Sequence, residues 1–241
     1  MIELARERIA TARSMFVLTG AGMSAESGLP TFRGTNGLWN AHRVEELASP
    51  EGFARDPDLV WRWYEERRAA HARAQPNAGH RALVALQTRV RDFTLATQNV
   101  DSLHLRAGSH DVLELHGHLR EARCDRCGAR RALDEPLLPG DVAHGCGGRF
   151  RPDIVWFGEP LSPAVWNAAA RAAARAEVVL VVGTSALVEL AASLAMRIAN
   201  ADAFTIEINP AATALSDEVD VALREPAAKV LPRLLETAAE V

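Results

Sequence analysis

Gly20, Gly22 and Ala25 lie in the segment GAGMSAESGLPTFRG at 20–34, directly after the strand-like run Ser14 to Thr19. Their spacing satisfies the G-x-G-x-x-G/A pattern, in which glycines let the backbone approach a pyrophosphate. Taken alone the pattern equally fits a tight turn with no ligand; its place after a strand favours a nucleotide. The acidic residue expected about 20 positions on, at the end of a second strand, is missing. Glu45 and Glu46 lie in a stretch without strand character. Instead Pro30, Thr31, Phe32 and Arg33 form an aromatic and cationic loop that could close over a reactive group beside the phosphates, which suggests chemistry on the dinucleotide itself. Two further strand candidates run into polar residues: Phe93 to Thr97 into Gln98, Asn99 and Asp101, and Val112 to Leu115 into His116 and His118. Ligands of open α/β sheets bind outside the carboxyl ends of the strands, so these side chains converge on the glycine loop. An imidazole with a pKa near about 6.5 is a natural general base for a hydroxyl, which singles out His116. Gly183, Thr184 and Ser185 after one strand, and Asn209 and Pro210 after another, repeat the arrangement and are placed around the adenosine half. His118 is read as structural, with no carboxylate or thiol at ligand spacing; His42, His71, His80, His104 and His110 have no identifiable partner.

The elements that must hold these residues alternate. Strand candidates at 14–19, 93–97, 112–115, 177–182, 204–208 and 219–223 are separated by helical stretches at 2–12, 57–74, 79–90, 163–175, 186–199 and 226–238. That alternation predicts an α/β fold with a parallel sheet covered on both faces. Residues 35–80 and 118–153 break it and are expected to build a smaller helical and Cys-rich lobe, leaving 1–34, 81–117 and 154–241 as the main α/β body. The 241 residues are 48% hydrophobic and 24% charged, with 27 basic against 31 acidic side chains and a net charge of −4. Such a balance disfavours nucleic acid or an anionic membrane as partner. Charges run through residues 1–19 without an apolar signal region, and the longest aliphatic run is far too short to span a bilayer, so a cytoplasmic protein is expected. Three cysteines close in sequence, Cys124, Cys127 and Cys146, fit a metal or former metal site better than a disulfide framework.

Together these residues resemble the sirtuins, the NAD-dependent protein lysine deacylases, over Val17 to Leu231. The carriers are GAGMSAESGLPTFRG, TQNVD at 97–101, LHG at 115–117, Cys-x-x-Cys at 124–127, RPDIVWFGE at 151–159, VVGTS at 181–185 and IEINP at 206–210, in family order. The resemblance implies a Rossmann-like domain, a small helical and zinc-ribbon lobe, and a cleft between them for NAD and an acyl-lysine peptide. It implies that Gly20, Ala21, Gly22, Ser24, Phe32, Arg33, Gln98, Asn99, Asp101, Gly183, Thr184, Ser185, Asn209, Pro210, Ala211 and Ala227 contact NAD, which is consumed as a co-substrate. Catalysis would rest on His116, as general base for a ribose hydroxyl, with Asn99 and Asp101. A strand containing Val155, Phe157, Gly158 and Glu159 would pair with the substrate backbone. The products would be nicotinamide, free lysine and O-acyl-ADP-ribose.

Two details refine this reading. Tyr64 and Arg67, three apart on a predicted helix and so on one face, resemble the class III sirtuins, whose acyl pocket holds a carboxylate; small Ala48 leaves room for a larger acyl group. Succinyl or malonyl removal is therefore expected, with acetyl removal as the alternative and a Rossmann dehydrogenase as the competing class. The metal site departs from the family pattern. A second Cys-x-x-Cys should follow the first by about 15 to 20 residues, yet Ala143 occupies its first position. His144 is one position away as a fourth ligand; because the turn would have to shift for it to reach, zinc is expected to be held weakly or lost.

Overall fold

The structure, a computed structural model, describes residues 1–31, 44–136, 142–185 and 203–236. Six parallel strands form the main sheet: β1 (Ser14–Thr19), β2 (Asp92–Thr97), β3 (Leu113–Glu114), β7 (Val178–Val182), β8 (Phe204–Ile208) and β9 (Val221–Leu223). Their order is β3-β2-β1-β7-β8-β9, so the winding reverses between β1 and β7, the place where such sheets open a ligand crevice. Successive side chains point to opposite faces. Met15 and Val17 of β1, with Val178, Leu180 and Val182 of β7, pack with helices α1 (Ile2–Thr11), α5 (Ala78–Arg89) and α8 (Ala227–Arg233). Phe16, Leu18, Val179 and Val181 pack on the other face with Ala169 and Ala173 of α7 (Pro163–Ala173). A sheet buried on both sides explains why β7 reads as an uninterrupted aliphatic run rather than an alternating one.

A second, antiparallel sheet has the order β5-β4-β6, from β4 (Gly117–Cys124), β5 (Arg130–Ala132) and β6 (Phe150–Ile154). Its core joins Leu119, Ala122, Phe150 and Ile154 to Leu47 of α2 (Val44–Leu47), Phe53 of α3 (Pro50–Arg55) and Val60, Trp61, Trp63 and Tyr64 of α4 (Pro57–Arg73). The start of α4 is set by Asp56, whose side chain accepts from Leu59 N at 2.9 Å, and by Pro57 in the first turn. Weak periodicity hid these three small strands, because β4 and β6 pair through a bulge between Gly117 and Ala122 that breaks the regular alternation. The strand expected at 155–159 is not one: β6 ends at Ile154, and Trp156 to Glu159 form a turn around Gly158 at φ +83°. Glu159 N donates to Trp156 O at 3.0 Å, and the Glu159 carboxylate receives Trp156 N at 2.8 Å. The expected helix at 186–199 lies outside the described residues, and no helix among those described is long and apolar enough to cross a membrane.

Candidate active site

The crevice between β1 and β7 is closed by backbone against backbone. A Cβ on Gly22 would stand 2.8 Å from Gly183 Cα, and one on Gly20 would stand 2.8 Å from Gly183 O; Gly183 itself has φ +62°. These glycines therefore serve first to let two strand ends touch, with Gly22 N donating to Gly183 O at 2.8 Å. Residues Ala21–Ser27 then wind into a 3-10 turn that buries Ser24. Ser24 Oγ donates to Asp101 Oδ2 at 2.7 Å, and Leu103 N donates to Asp101 Oδ1 at 2.9 Å. Burial pushes the Asp101 carboxyl pKa up, against the pull of these donors and of Arg67. Asn99 Nδ2 donates to Gly20 O at 3.0 Å, so the turns after β1 and β2 are tied together. Gln98 Nε2 donates to Thr184 Oγ1 at 3.0 Å and Asn209 Nδ2 to Thr184 O at 2.9 Å, extending the network to β7 and β8. Pro210 and Ala211 are exposed beside it, and Ser185 is half-buried. Ala227 is different: it is buried in the main core with Met23. Phe32 and Arg33 lie outside the described residues, as does His42.

His116 sits where the chain leaves β3 for β4, between the two sheets. Its Nδ1 is 3.0 Å from the carbonyl oxygen of Gln98. A carbonyl only accepts, so Nδ1 carries the proton and Nε2 presents a lone pair. Burial lowers the His116 pKa below the usual value, partly opposed by that hydrogen bond, so the ring is neutral near pH 7.

On α4, Tyr64 and Arg67 do share a face, but Tyr64 is wholly enclosed at 1% exposure. Burial pushes its pKa up to about 12, and its hydroxyl accepts from Trp156 Nε1 at 3.0 Å. The Arg67 guanidinium lies 4.7 Å from the Trp63 ring centre and 5.7 Å from that of Tyr64. Ala48 is buried, and its carbonyl receives Phe157 N at 3.0 Å; Val155 N donates to His116 O at 2.9 Å. Phe157 is 45% exposed beside this turn. The Glu159 carboxylate holds Arg151 through oxygens 2.5 and 2.8 Å away, with Arg123 at 3.2 Å.

The doubt about the metal site is overturned. Ligand atoms of Cys124, Cys127, His144 and Cys146 all lie within 4.8 Å of one another. Cys124 and Cys146 Sγ are 3.5 Å apart, and His144 Nδ1 is 3.1 and 3.6 Å from the sulfurs of Cys146 and Cys127. Zinc–sulfur bonds of about 2.3 Å and a zinc–nitrogen bond of about 2.0 Å require tetrahedral edges of roughly 3.5 to 3.8 Å; the Cys124–Cys146 and Cys127–His144 separations match them and the His144–Cys146 one is shorter, so the four donors are gathered closely enough to hold the ion after a small opening of that edge. His144 N bonds Gly148 O and Gly147 N bonds His144 O, both at 2.9 Å, while Gly147 at φ +80° folds the imidazole onto the sulfurs. The longer reach of imidazole replaces the thiol missing at Ala143.

Sequence reasoning also missed partners brought by tertiary pairing. His118 has Glu121 and Asp153 within ligand distance, though Asp153 is engaged by Arg123 and Arg130. His104 Nε2 is 2.9 Å from Thr19 Oγ1, which lies 2.8 Å from Thr97 Oγ1, and His80 Nδ1 accepts from Asn77 N at 3.3 Å in a capping box; His110 meets Gln87 and Asp111. The Asn77-x-x-His80 spacing ahead of an apolar run was a legible sign of that cap.

A model of the Sir2 family matches residues 20–190. NAD-dependent protein deacylase 2 of Pyrobaculum aerophilum is 48% identical over 230 residues, covering 95% of this chain and 92% of its own. A mutant Sir2 homologue solved with ADP-ribose has a TM-score of 0.93 at 44% identity, covering 97% of this chain and 95% of that one. A Sir2 homologue solved with NAD has a TM-score of 0.90 at 45% identity, covering 96% and 91%. Matched over nearly its whole length in sequence and in structure, the chain belongs to the Sir2 family.

Proposed function

We propose that this chain is an NAD-dependent protein lysine deacylase, taking acyl groups from lysine side chains of proteins or peptides and releasing nicotinamide and O-acyl-ADP-ribose. The observation that carries the reading is His116: its Nδ1 is spent on the Gln98 carbonyl, and its neutral Nε2 is left as a base at the carboxyl end of the sheet. The relative named as a deacylase and the homologues solved with ADP-ribose and NAD support it. In this reading Gly20, Ala21, Gly22, Ser24, Gln98, Gly183, Thr184, Ser185, Asn209, Pro210 and Ala211 hold the dinucleotide. Asn99 and Asp101 orient the nicotinamide ribose, and His116 takes a proton from a ribose hydroxyl. NAD is a co-substrate whose glycosidic bond supplies the driving chemistry; no net hydride moves. The main-sheet body at 1–34, 81–117 and 154–241 carries NAD. The lobe at 35–80 and 118–153 carries the acyl pocket and a structural zinc held by Cys124, Cys127, Cys146 and His144, which would fix β4 to the turn before β6. The free thiols suit a reducing compartment such as the cytoplasm.

The acyl group we infer is acidic, succinyl or malonyl, with acetyl as a poorer substrate. With the Arg67 guanidinium 5.7 Å from the Tyr64 ring centre, a cation and a neutral phenol donor come from one helix face, and Ala48 adds little bulk. Incubation with NAD and a succinyl-lysine peptide tests both classes of reading. Free nicotinamide with loss of the acyl group is the expected result, and formation of NADH would point to a dehydrogenase.

A further inference from the structure

We propose that Trp156 is a positioning residue for the acyl pocket, its indole N–H occupying the acceptor side of the Tyr64 hydroxyl so that the phenolic proton is left for the carboxylate of an acidic acyl group. The proposal rests on the acidic-acyl reading of Tyr64 and Arg67 above. Indole nitrogen only donates, so in the 3.0 Å contact between Trp156 Nε1 and Tyr64 Oη the tyrosine must be the acceptor. A phenol has one proton to give, and among the described residues nothing receives it. Tyr64 and Trp156 are 1% and 2% exposed. A donor buried this deeply without an acceptor is costly, and a ligand that brings an oxygen relieves that cost. With its pKa pushed up to about 12 the hydroxyl stays protonated across the working range, so it can only donate to an anion there, never repel it as a phenolate.

The indole is itself held from several directions. Its ring is tilted against Phe53 at 5.4 Å and against Tyr64 at 6.4 Å between ring centres. The Arg151 guanidinium lies 3.4 Å from its ring centre and is clamped by Glu159, whose carboxylate also receives the Trp156 backbone N–H. A cation on the ring face draws electron density from the indole and strengthens its N–H as a donor. Phenylalanine at this position would keep the ring packing and lose the donor, freeing the Tyr64 hydroxyl to rotate. An acetyl group brings no carboxylate and is blind to this orientation.

The test compares kcat/KM for succinyl- and acetyl-lysine forms of one peptide in wild type, Trp156→Phe, Tyr64→Phe, the double variant and Arg67→Met. The expected result is a succinyl-to-acetyl ratio about three- to tenfold lower in Trp156→Phe. Adding Trp156→Phe to Tyr64→Phe should then lower the ratio little further, because both act through one hydroxyl. If Arg67→Met collapses the ratio while Trp156→Phe leaves it alone, or if the Trp156→Phe loss is equally large without the hydroxyl, the proposal is overturned and the acidic reading stands. An unchanged ratio in Arg67→Met removes the acidic reading and the proposal with it. Should Trp156→Phe not fold, wild-type protein decides. The indole 15N–1H resonance that is displaced in Tyr64→Phe should shift more on saturation with the succinyl-lysine peptide than with the acetyl-lysine one, and equal shifts would overturn the proposal.

Discussion

Ser24 Oγ and Asp101 Oδ2 meet at 2.7 Å in the interior, joining the 3-10 turn after β1 to the loop after β2. The bond matters because Asp101 is a buried carboxyl whose charge is held by few donors. Removing Ser24 Oγ takes away a hydrogen bond to a charged group, worth about 1.5 to 3 kcal/mol. In Ser24→Ala the KM for NAD should rise about tenfold or more, with the preference among acyl peptides preserved. Steady-state kinetics at varied NAD checks this, and a KM within twofold of wild type would count against the role given to this pair.

How much of this was legible in advance depended on whether a residue's partner was local. β1, β2, β7 and β8 announce themselves because a strand buried on both faces must be aliphatic and β-branched, and their ends carry Gly20, Gln98, Gly183 and Asn209 as the polar turn residues of the crevice. The small sheet was hidden: β4 runs Gly-His-Leu-Arg-Glu-Ala-Arg-Cys through a bulge, so no alternation of period two survives. His144 could be named from its place beside Ala143, but its reach depended on the φ of Gly147, which spacing does not encode. The ion pair of Glu159 was hidden for a similar reason. Its partner Arg151 is close in sequence, yet the turn at Gly158 that faces them is invisible until the backbone is seen.

Metal content follows from the donor geometry. Three sulfurs and the His144 imidazole gathered at one spot should hold zinc near one equivalent through mild chelation, and His144→Ala should lose it and unfold at lower temperature. Elemental analysis with thermal melts reads both effects. Sub-stoichiometric zinc in the untreated wild type would mean that these four side chains are held by packing alone.

Acid sensitivity should begin in the histidine range. His80 and His104 are 0% and 2% exposed, and burial pushes their pKa values down to about 4 and about 3. Between those values and about 6.5 the unfolded chain binds protons that the folded chain refuses, so stability rises with pH up to about 6.5 and is flat above. At pH 5 each ring costs up to about 2 kcal/mol relative to neutral pH. Denaturant melts from pH 7.5 to 5 should show the fall beginning near 6.5. Replacing His104 by Asn, which cannot titrate, should flatten the slope, and an unchanged slope would shift the cause to other groups.

Arg67 decides the acyl class. Arg67→Met should lower kcat/KM for a succinyl peptide by roughly tenfold to a hundredfold, since a carboxylate loses its charged hydrogen bonds. The acetyl form of the same peptide should change little, having no charge for the guanidinium to meet. Equal effects on the two forms would make this a general deacylase with no acidic preference.

The central claim is NAD-dependent deacylation with His116 as the base. Quantitative mass spectrometry of one reaction, counting nicotinamide, deacylated peptide and O-acyl-ADP-ribose in wild type and in His116→Ala, tests it most directly. Equal amounts of the three products are expected from wild type, with all but trace deacylated peptide and O-acyl-ADP-ribose lost in the variant while peptide binding persists. Near-normal turnover in His116→Ala, or peptide deacylation without nicotinamide release in wild type, would contradict it.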